Sequence, residues 1–498
     1  MNDRHSTKPS PSTTDPVGPN RIARVDAPEI GITGEIEKHL VGLLEKCDYP
    51  IEIRYHHKRS RTIAMRRGEL SDLSSRLYAG VGIRVIVNGR RGFAATSDLT
   101  AIGLEQALRQ ALELARAAGR HGSKELRLAG KDRLARGTFT LPGFHELNAL
   151  PLEQKYDLVR TGEERLRNES RSIESASCQY SEIFEEKLIL TDDGAHARIQ
   201  LVRPELRMGA FAGRDGQLKT GRDAIGATGD WQCLFRNRDV NECIRRSVQT
   251  AVDLLDAPEA EGGRAKVVLS PAMVGLLSHE AIGHTVEADF VSAGSVAAGK
   301  LGQMVASPLV TLADSGHSEF YEGAGGMLPV DDEGVYTERT VIIEQGRLVS
   351  YLHNRESAAQ FEVAATGNAR AWEYDDEPLI RMRNTYIEPG TSTLDDMIAG
   401  IDEGFFIDGP EGGQADATGE FMFGASRVRR IKNGKVGPMV QKMTVSGNAF
   451  AVLQSVDAVG SDFQWDLGAG YCGKGQPAKV DAGGPYLRCE LLLGGAQQ

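Results

Sequence analysis

Two histidines five residues apart on one helix place the hardest demand on this chain. The segment Ser270–His284 reads SPAMVGLLSHEAIGH. Ser270 is a strong helix N-cap, and Pro271 suits the first helical position, where no backbone N–H is needed. Met273, Leu276 and Leu277 form an apolar stripe that anchors one side in a core. On a regular helix of 3.6 residues per turn, His279 and His284 project roughly 140° apart. They can converge only if the helix carries an extra residue, as in a π-bulge, or breaks near Gly283.

Convergence would matter because of what lies between them. Zinc takes neutral imidazole nitrogens or anionic ligands and keeps an open position for water in catalytic sites. Glu280, beside the first histidine, is placed to take a proton from that water. The usual zinc-peptidase spacing is H-E-x-x-H, and His279-Glu-Ala-Ile-Gly-His284 is one residue longer. Taken alone, the array is equally compatible with a hydrogen-bonded histidine pair near a domain boundary. A third ligand could come from Glu287 or Asp289. Of these, Glu287 lies three residues after His284 and shares its helical face. It could also come from Cys472, whose flanking glycines allow close approach and whose neighbour Lys474 favours a thiolate. A lone cysteine is otherwise a small buried hydrophobe.

The 498 residues suffice for more than one core. The pattern predicts an α+β protein with an N-terminal α/β domain containing a mixed sheet (residues 31–258) and a C-terminal strand-rich domain around the motif helix (residues 259–498). Residues 1–30, polar and proline-rich, read as a disordered tail. The first half is expected to hold a helix over 35–46, strands over 51–57 and 61–67, and a hairpin over 81–95 turning at Asn88-Gly89. Helices follow near 98–118, 153–167 and 240–255, with a meander over 172–226 turning at Asp193-Gly194 and Asp215-Gly216. The Pro/Glu/Gly stretch 257–263 marks the boundary.

Net charge is −11, which argues against a nucleic-acid partner. The densest basic cluster, Lys58, Arg59, Arg61, Arg66 and Arg67, reads as the solvated face of a strand pair. No apolar run reaches membrane-spanning length. Six scattered cysteines suit a cytoplasmic chain with reduced thiols. Asp331-Asp-Glu-Gly334 reads as a solvated turn, and His317 and His353 as surface residues. Cys489 is assigned to packing. Arg381 and Arg383 suit either a peptide carboxylate or simple alternation on a strand.

The stretch Ser278–Phe290, SHEAIGHTVEADF, resembles the signature of the metal-bearing subunit of the TldD/PmbA family. The likeness continues through Gly80-Val-Gly-Ile, Asp331-Asp-Glu-Gly334, Ala365-Thr-Gly-Asn368, Arg383-Asn-Thr-Tyr386, Gly412-Gly-Gln414 and Cys472-Gly-Lys474, in family order over roughly residues 34–480. The resemblance implies Zn2+ held by His279, His284 and Cys472, with Glu280 as general base. It also implies a peptide substrate drawn from unfolded or leader-type chains, hydrolysed inside a dimeric chamber. The partner would be a related family subunit lacking the metal motif, or a second copy. The older label of gyrase modulator finds no support in the acidic composition. Two other readings share the same residues: an amide hydrolase acting on a small natural product, and a non-catalytic partner subunit, which would have no need of an intact His-Glu…His set. One departure stands out: the family's acidic residue after Cys-Gly-Lys is missing, and the chain runs Gly475-Gln-Pro-Ala. That departure bears on the shape of the substrate pocket.

Overall fold

Long antiparallel strands organise the N-terminal half. The computed structural model describes residues 32–118, 125–236, 238–465 and 468–495; the expected tail over 1–30 lies outside the described residues. Seven strands form one mixed sheet: β1 (Ile51–Arg66), β2 (Glu69–Val87), β3 (Arg90–Thr96), β4 (Arg136–Thr140), β5 (Ile173–Thr191), β6 (His196–Arg214) and β7 (Gln217–Gly226). The order is β3-β2-β1-β5-β6-β4, with β7 also on β6. Only β4 runs parallel to its neighbour. Local chemistry sets the turns. Asn88 and Gly89 both take positive φ, the geometry a two-residue hairpin requires.

β1 is one continuous 16-residue strand, where the sequence suggested a break at Lys58–Ser60. Its odd-numbered residues explain the length. Ile51, Ile53 and Tyr55 share a core with helices Gly34–Lys46 and Ala101–Ala118. Ile63 and Met65 share another with helices Leu152–Asn168 and Val240–Asp256. A 19-residue strand such as β5 spans roughly 60 Å, enough to carry two helical covers in succession.

The even face of β1 meets the C-terminal half, which corrects two expectations. Lys58 is 4% exposed; its ammonium sits 3.1 Å from the centre of the Trp372 ring and donates to the Trp372 carbonyl. Arg59 is also buried, against Phe184 and Asn148. Lys58 thus belongs to an internal interface and Arg59 to a packed site on the opposite face of the strand, whereas Arg66 and Arg67 at its end are exposed, as the solvated-face reading expects. The turn Asp331–Glu333 is likewise buried. Asp332 pairs with Lys187 at 2.8 Å, and Glu333 with Arg84 at 2.6 Å. Asp331 accepts the backbone N–H groups of Glu333, Val335 and Ala369. The opposing strand gives way to let this half approach. A Cβ on Gly80 would lie 2.4 Å from the Tyr374 ring, and one on Gly82 would lie 2.5 Å from the Tyr374 carbonyl.

The C-terminal half holds two larger sheets. In one, strands Gly263–Leu269, Glu403–Ala415, Glu420–Lys432, Met443–Asn448 and Leu487–Gly494 pair in a ring that closes between Glu403–Ala415 and Glu420–Lys432. In the other, Gln476–Gly484 lies between Asn384–Ile387 and Gln464–Trp465 and also carries the hairpin strand Gly470–Lys474. The motif helix shares its core with both: Met273, Leu277, Ala281 and Ile282 pack in one cluster with Ile407, Phe421, Val445, Leu491 and Val480. The protein is therefore a two-domain α+β chain. Among the described residues no helix is long and apolar enough to cross a membrane.

Candidate metal centre

The motif helix starts as the sequence predicts. Ser270 caps it by accepting from Met273 N–H, and Pro271 opens it. The α-helical turn runs only over Pro271–Leu276. From Leu277 to Gly283 the segment is a π-helix, followed by a 3₁₀ turn at His284–Val286. A π-helix hydrogen-bonds residue i to i+5, so residues five apart align. The two imidazoles accordingly share a side, with ring centres 5.3 Å apart. Local side chains absorb part of the disruption: Ser278 Oγ donates to the Val274 carbonyl and Thr285 Oγ1 to that of Ile282. Gly283 lets the segment press on the link between strands Leu379–Ile380 and Asn384–Ile387, since a Cβ there would lie 1.8 Å from Met382 Sδ.

Cys472 arrives from the other side on the hairpin of Gly470–Lys474 with Gln476–Gly484, which reverses at Gly475 with φ +72°. One ligand atom each from His279, His284 and Cys472 lie within 4.8 Å of one another, and Cys472 Sγ is 3.2 Å from His284 Nε2. Asp289 and Glu287 do not join the cluster. Glu287 instead holds His284 from behind, with Oε2 3.2 Å from His284 Nδ1, and Lys474 Nζ lies 2.9 Å from the same carboxylate. Lys474 thus bridges Glu287 and Asp289, and it packs on the Phe290 ring.

The electrostatics follow from these contacts. Burial disfavours charge on His284, but the hydrogen bonds and charges of Cys472 and Glu287 outweigh it and push the imidazole up to about 10. Burial likewise opposes ionisation of Cys472, but the two histidines hold its thiol down to about 4. The thiolate is the form a metal ligand needs, and metal binding would release the imidazole proton. Burial leaves His279 Nδ1 with no hydrogen-bond partner among the described residues. Two imidazoles, one of them with an unpaired buried nitrogen, and one thiolate make a three-residue donor set that fits a metal ion such as zinc.

These features coincide with similarity to known proteins. A model of the PmbA/TldA metallopeptidase C-terminal domain matches residues 262–493, and those of domain 1 and the central domain match 51–118 and 145–255. The chain belongs to the TldD/PmbA metallopeptidase family. It is 32% identical to a metalloprotease of Methanocaldococcus jannaschii, over 90% of this chain and 97% of that one. It is 27% identical to a zinc metalloprotease TldD homolog of Saccharolobus solfataricus, over 83% and 89%. The crystal structure of TldE from Thermococcus kodakarensis shares the fold at TM-score 0.74, with 21% identity over 93% of this chain and 100% of that one.

Glu280 lies beside the His279, His284 and Cys472 cluster. Its Oε2 is 3.9 Å from His284 Nε2. It lines a cavity of about 480 Å³ with His284, Phe290, Gly413, Tyr471 and Lys474. Gly413 makes room for it, since a Cβ there would lie 3.2 Å from Glu280 Cγ.

Neither reading offered for Arg381 from the sequence is its role in the structure. Fully buried, its Nη2 donates to the Cys472 carbonyl and its Nη1 to the Gln476 carbonyl, both at 2.7 Å. It clamps the two strands of the cysteine hairpin. Arg383 is also structural, with Nε 2.8 Å from buried Asp314. Neither arginine lines the metal-site cavity. The only signal is the alternation of two arginines, and the strand expected to carry it is interrupted: both lie between strands Leu379–Ile380 and Asn384–Ile387. His353, expected at the surface, is buried. His317 is exposed and Cys489 is packed in the core, as expected.

Proposed function

We propose that this chain is a zinc-dependent peptidase in which His279, His284 and Cys472 hold Zn2+ and Glu280 is the general base. The observation that carries this reading is the π-helical segment Leu277–Gly283. It is a poorly favoured conformation, and here it turns two histidines towards one thiolate while leaving Glu280 at the cavity wall. Bound zinc would supply Lewis acidity towards the scissile carbonyl and lower the pKa of water. Glu280 takes the proton from the attacking water on its carboxylate and returns it to the leaving amine. Glu287 keeps the His284 proton on Nδ1, which leaves Nε2 free to bind metal.

The cavity suits an extended peptide. Residues Glu411–Ala415 pair with Phe421–Gly424 on one side, and Gly413–Ala415 present themselves to the cavity. Among the described residues the other edge of this stretch has no strand partner, so a substrate backbone can add there as a strand. Unfolded or leader-type peptides meet that requirement and folded domains do not. A dimer with a second copy or with a related subunit would enclose the cavity, and the free cysteines suit a cytoplasmic setting.

The test pairs metal content with turnover. Glu280→Gln keeps the side-chain volume and removes the base, so zinc should remain at the parent's level while hydrolysis of an unfolded peptide falls about 10²–10⁴-fold. A variant that holds zinc and turns over like the parent would make this mechanism wrong.

A further inference from the structure

A second cavity, of about 740 Å³, opens between the far end of the N-terminal sheet and the barrel strands. Six arginines line it against two carboxylates, Asp223 and Glu411, in a protein whose net charge is −11. Arg66, Arg207 and Arg222 come from β1, β6 and β7; Arg238, Arg246 and Arg427 come from around helix Val240–Asp256 and strand Glu420–Lys432.

The carboxylates do not balance these cations. Asp223 is shared by Arg238 at 3.1 Å and Arg246 at 2.6 Å. Glu411 is taken by Lys442 and Asp408 by Arg427. Glu205, 3.2 Å from Arg207, is held more closely by Lys479. Arg66 and Arg222 have no ion pair among the described residues, and both are exposed at the cavity. A concave wall of low dielectric with surplus positive charge concentrates anions, and guanidinium groups bind carboxylates in a directed, two-point manner.

The cavity adjoins the metal centre. Glu411 and Gly412 face it, and the next residues of the same strand, Gly413–Ala415, face the metal-site cavity. Ala469 and Gly470 face it, and Tyr471 and Gly473 beyond them face the metal-site cavity. Ala272 of the motif helix lines the one and Glu280 the other, roughly 10–12 Å apart along a segment that rises about 1.5 Å per residue where it is α-helical and less where it is π-helical. An extended peptide covers that distance in about four residues.

We propose that this arginine-lined cavity is a substrate subsite for a carboxylate, placed about four residues from the bond held at Glu280. The proposal rests on the peptidase reading. It makes the protein selective for acidic segments or chain ends.

The experiment uses the full chain carrying Glu280→Gln, so that bound peptide persists. Rhodamine-labelled unstructured dodecapeptides are titrated by anisotropy in 50 mM salt: one with a Glu pair, one with a Gln pair, each with a free or an amidated C-terminus. An acidic peptide should bind about tenfold tighter than its amidated Gln counterpart, and 500 mM salt should erase the difference. Comparing internal Glu with the free terminus identifies which carboxylate is read. Adding Arg66→Gln and Arg222→Gln should bring the acidic peptide down to the neutral peptide's affinity; both positions are exposed, and an unchanged unfolding midpoint checks the fold. Equal binding of acidic and neutral peptides, or a preference that survives the double substitution, overturns the subsite. Cleavage by the zinc-loaded parent separates the two ideas. No cleavage with the preference intact removes the peptidase reading and leaves the anion site. Equal cleavage of all peptides with no binding preference removes the subsite alone.

Discussion

Arg381→Met tests whether the cysteine hairpin is positioned or merely present. Methionine fills much of the same space but donates no hydrogen bond. The substitution strands the carbonyls of Cys472 and Gln476, which now accept from Arg381 at 2.7 Å in a fully buried setting. Each unpaired buried carbonyl costs about 1–3 kcal/mol, so the hairpin either shifts to find new partners or loses stability by several kcal/mol. A shift moves Cys472 relative to His279 and His284, and supporting contacts of this kind are worth about 10–100-fold in metal affinity. That corresponds to about 1.4–2.7 kcal/mol of zinc-linked stabilisation. Urea denaturation of parent and variant, in chelator and in buffered free zinc, separates the effects. A purely structural role lowers both curves equally. A positioning role shrinks the increment that zinc adds. Arg381→Lys should recover little, because an ammonium lacks the planar fork that spans two carbonyls. A folded Met variant with the parent's full zinc increment would refute the argument.

Two further outcomes follow from the same geometry. Cys472→Ser should weaken zinc binding more than Glu287→Gln, since the first removes a thiolate ligand while the second removes only the carboxylate that orients His284 Nδ1; competition titration with a chelating dye ranks them, and the opposite order would return Glu287 to the first coordination sphere. Burial lowers the His353 pKa to about 4 from its usual 6.5, so the folded state keeps it neutral while the unfolded chain protonates below 6.5. Its contribution of about 3 kcal/mol is present above pH 6.5 and is lost as pH falls to about 4. His353→Gln should therefore lose less stability than the parent between pH 7 and pH 4.5 in urea titrations, and parallel losses would show that His353 is not among the acid-sensitive groups.

Caps, turns and amphipathic periods depend on residues a few positions apart, so helix Val240–Asp256, the Asn88-Gly89 hairpin and the meander β5–β7 lie close to where the pattern puts them. The five-residue histidine spacing by itself requires a helix irregularity, because helical geometry allows no other way for the pair to meet, and the π segment supplies it. Cys472 stood equal with Glu287 and Asp289 on local chemistry, and only the family resemblance put it ahead.

Charged side chains in the interior could not be read this way. Lys58, Asp332, Glu333 and Arg381 look like surface residues in any short window. Their partners are Trp372, Lys187, Arg84 and the Cys472 hairpin, between 91 and 314 positions away in the chain. The choice between a solvated charge and a buried, paired one depends on desolvation against long-range pairing, and that balance is struck only when the two halves meet. The sequence by itself determined most of the elements, the demand for a broken helix and the candidate ligand residues. The tertiary structure decided which charges are internal, which groups stand behind His284 and Cys472, and that an arginine-lined cavity adjoins the candidate metal centre, because each of these depends on segments that come together only through the packing of β1 and the ring of C-terminal strands.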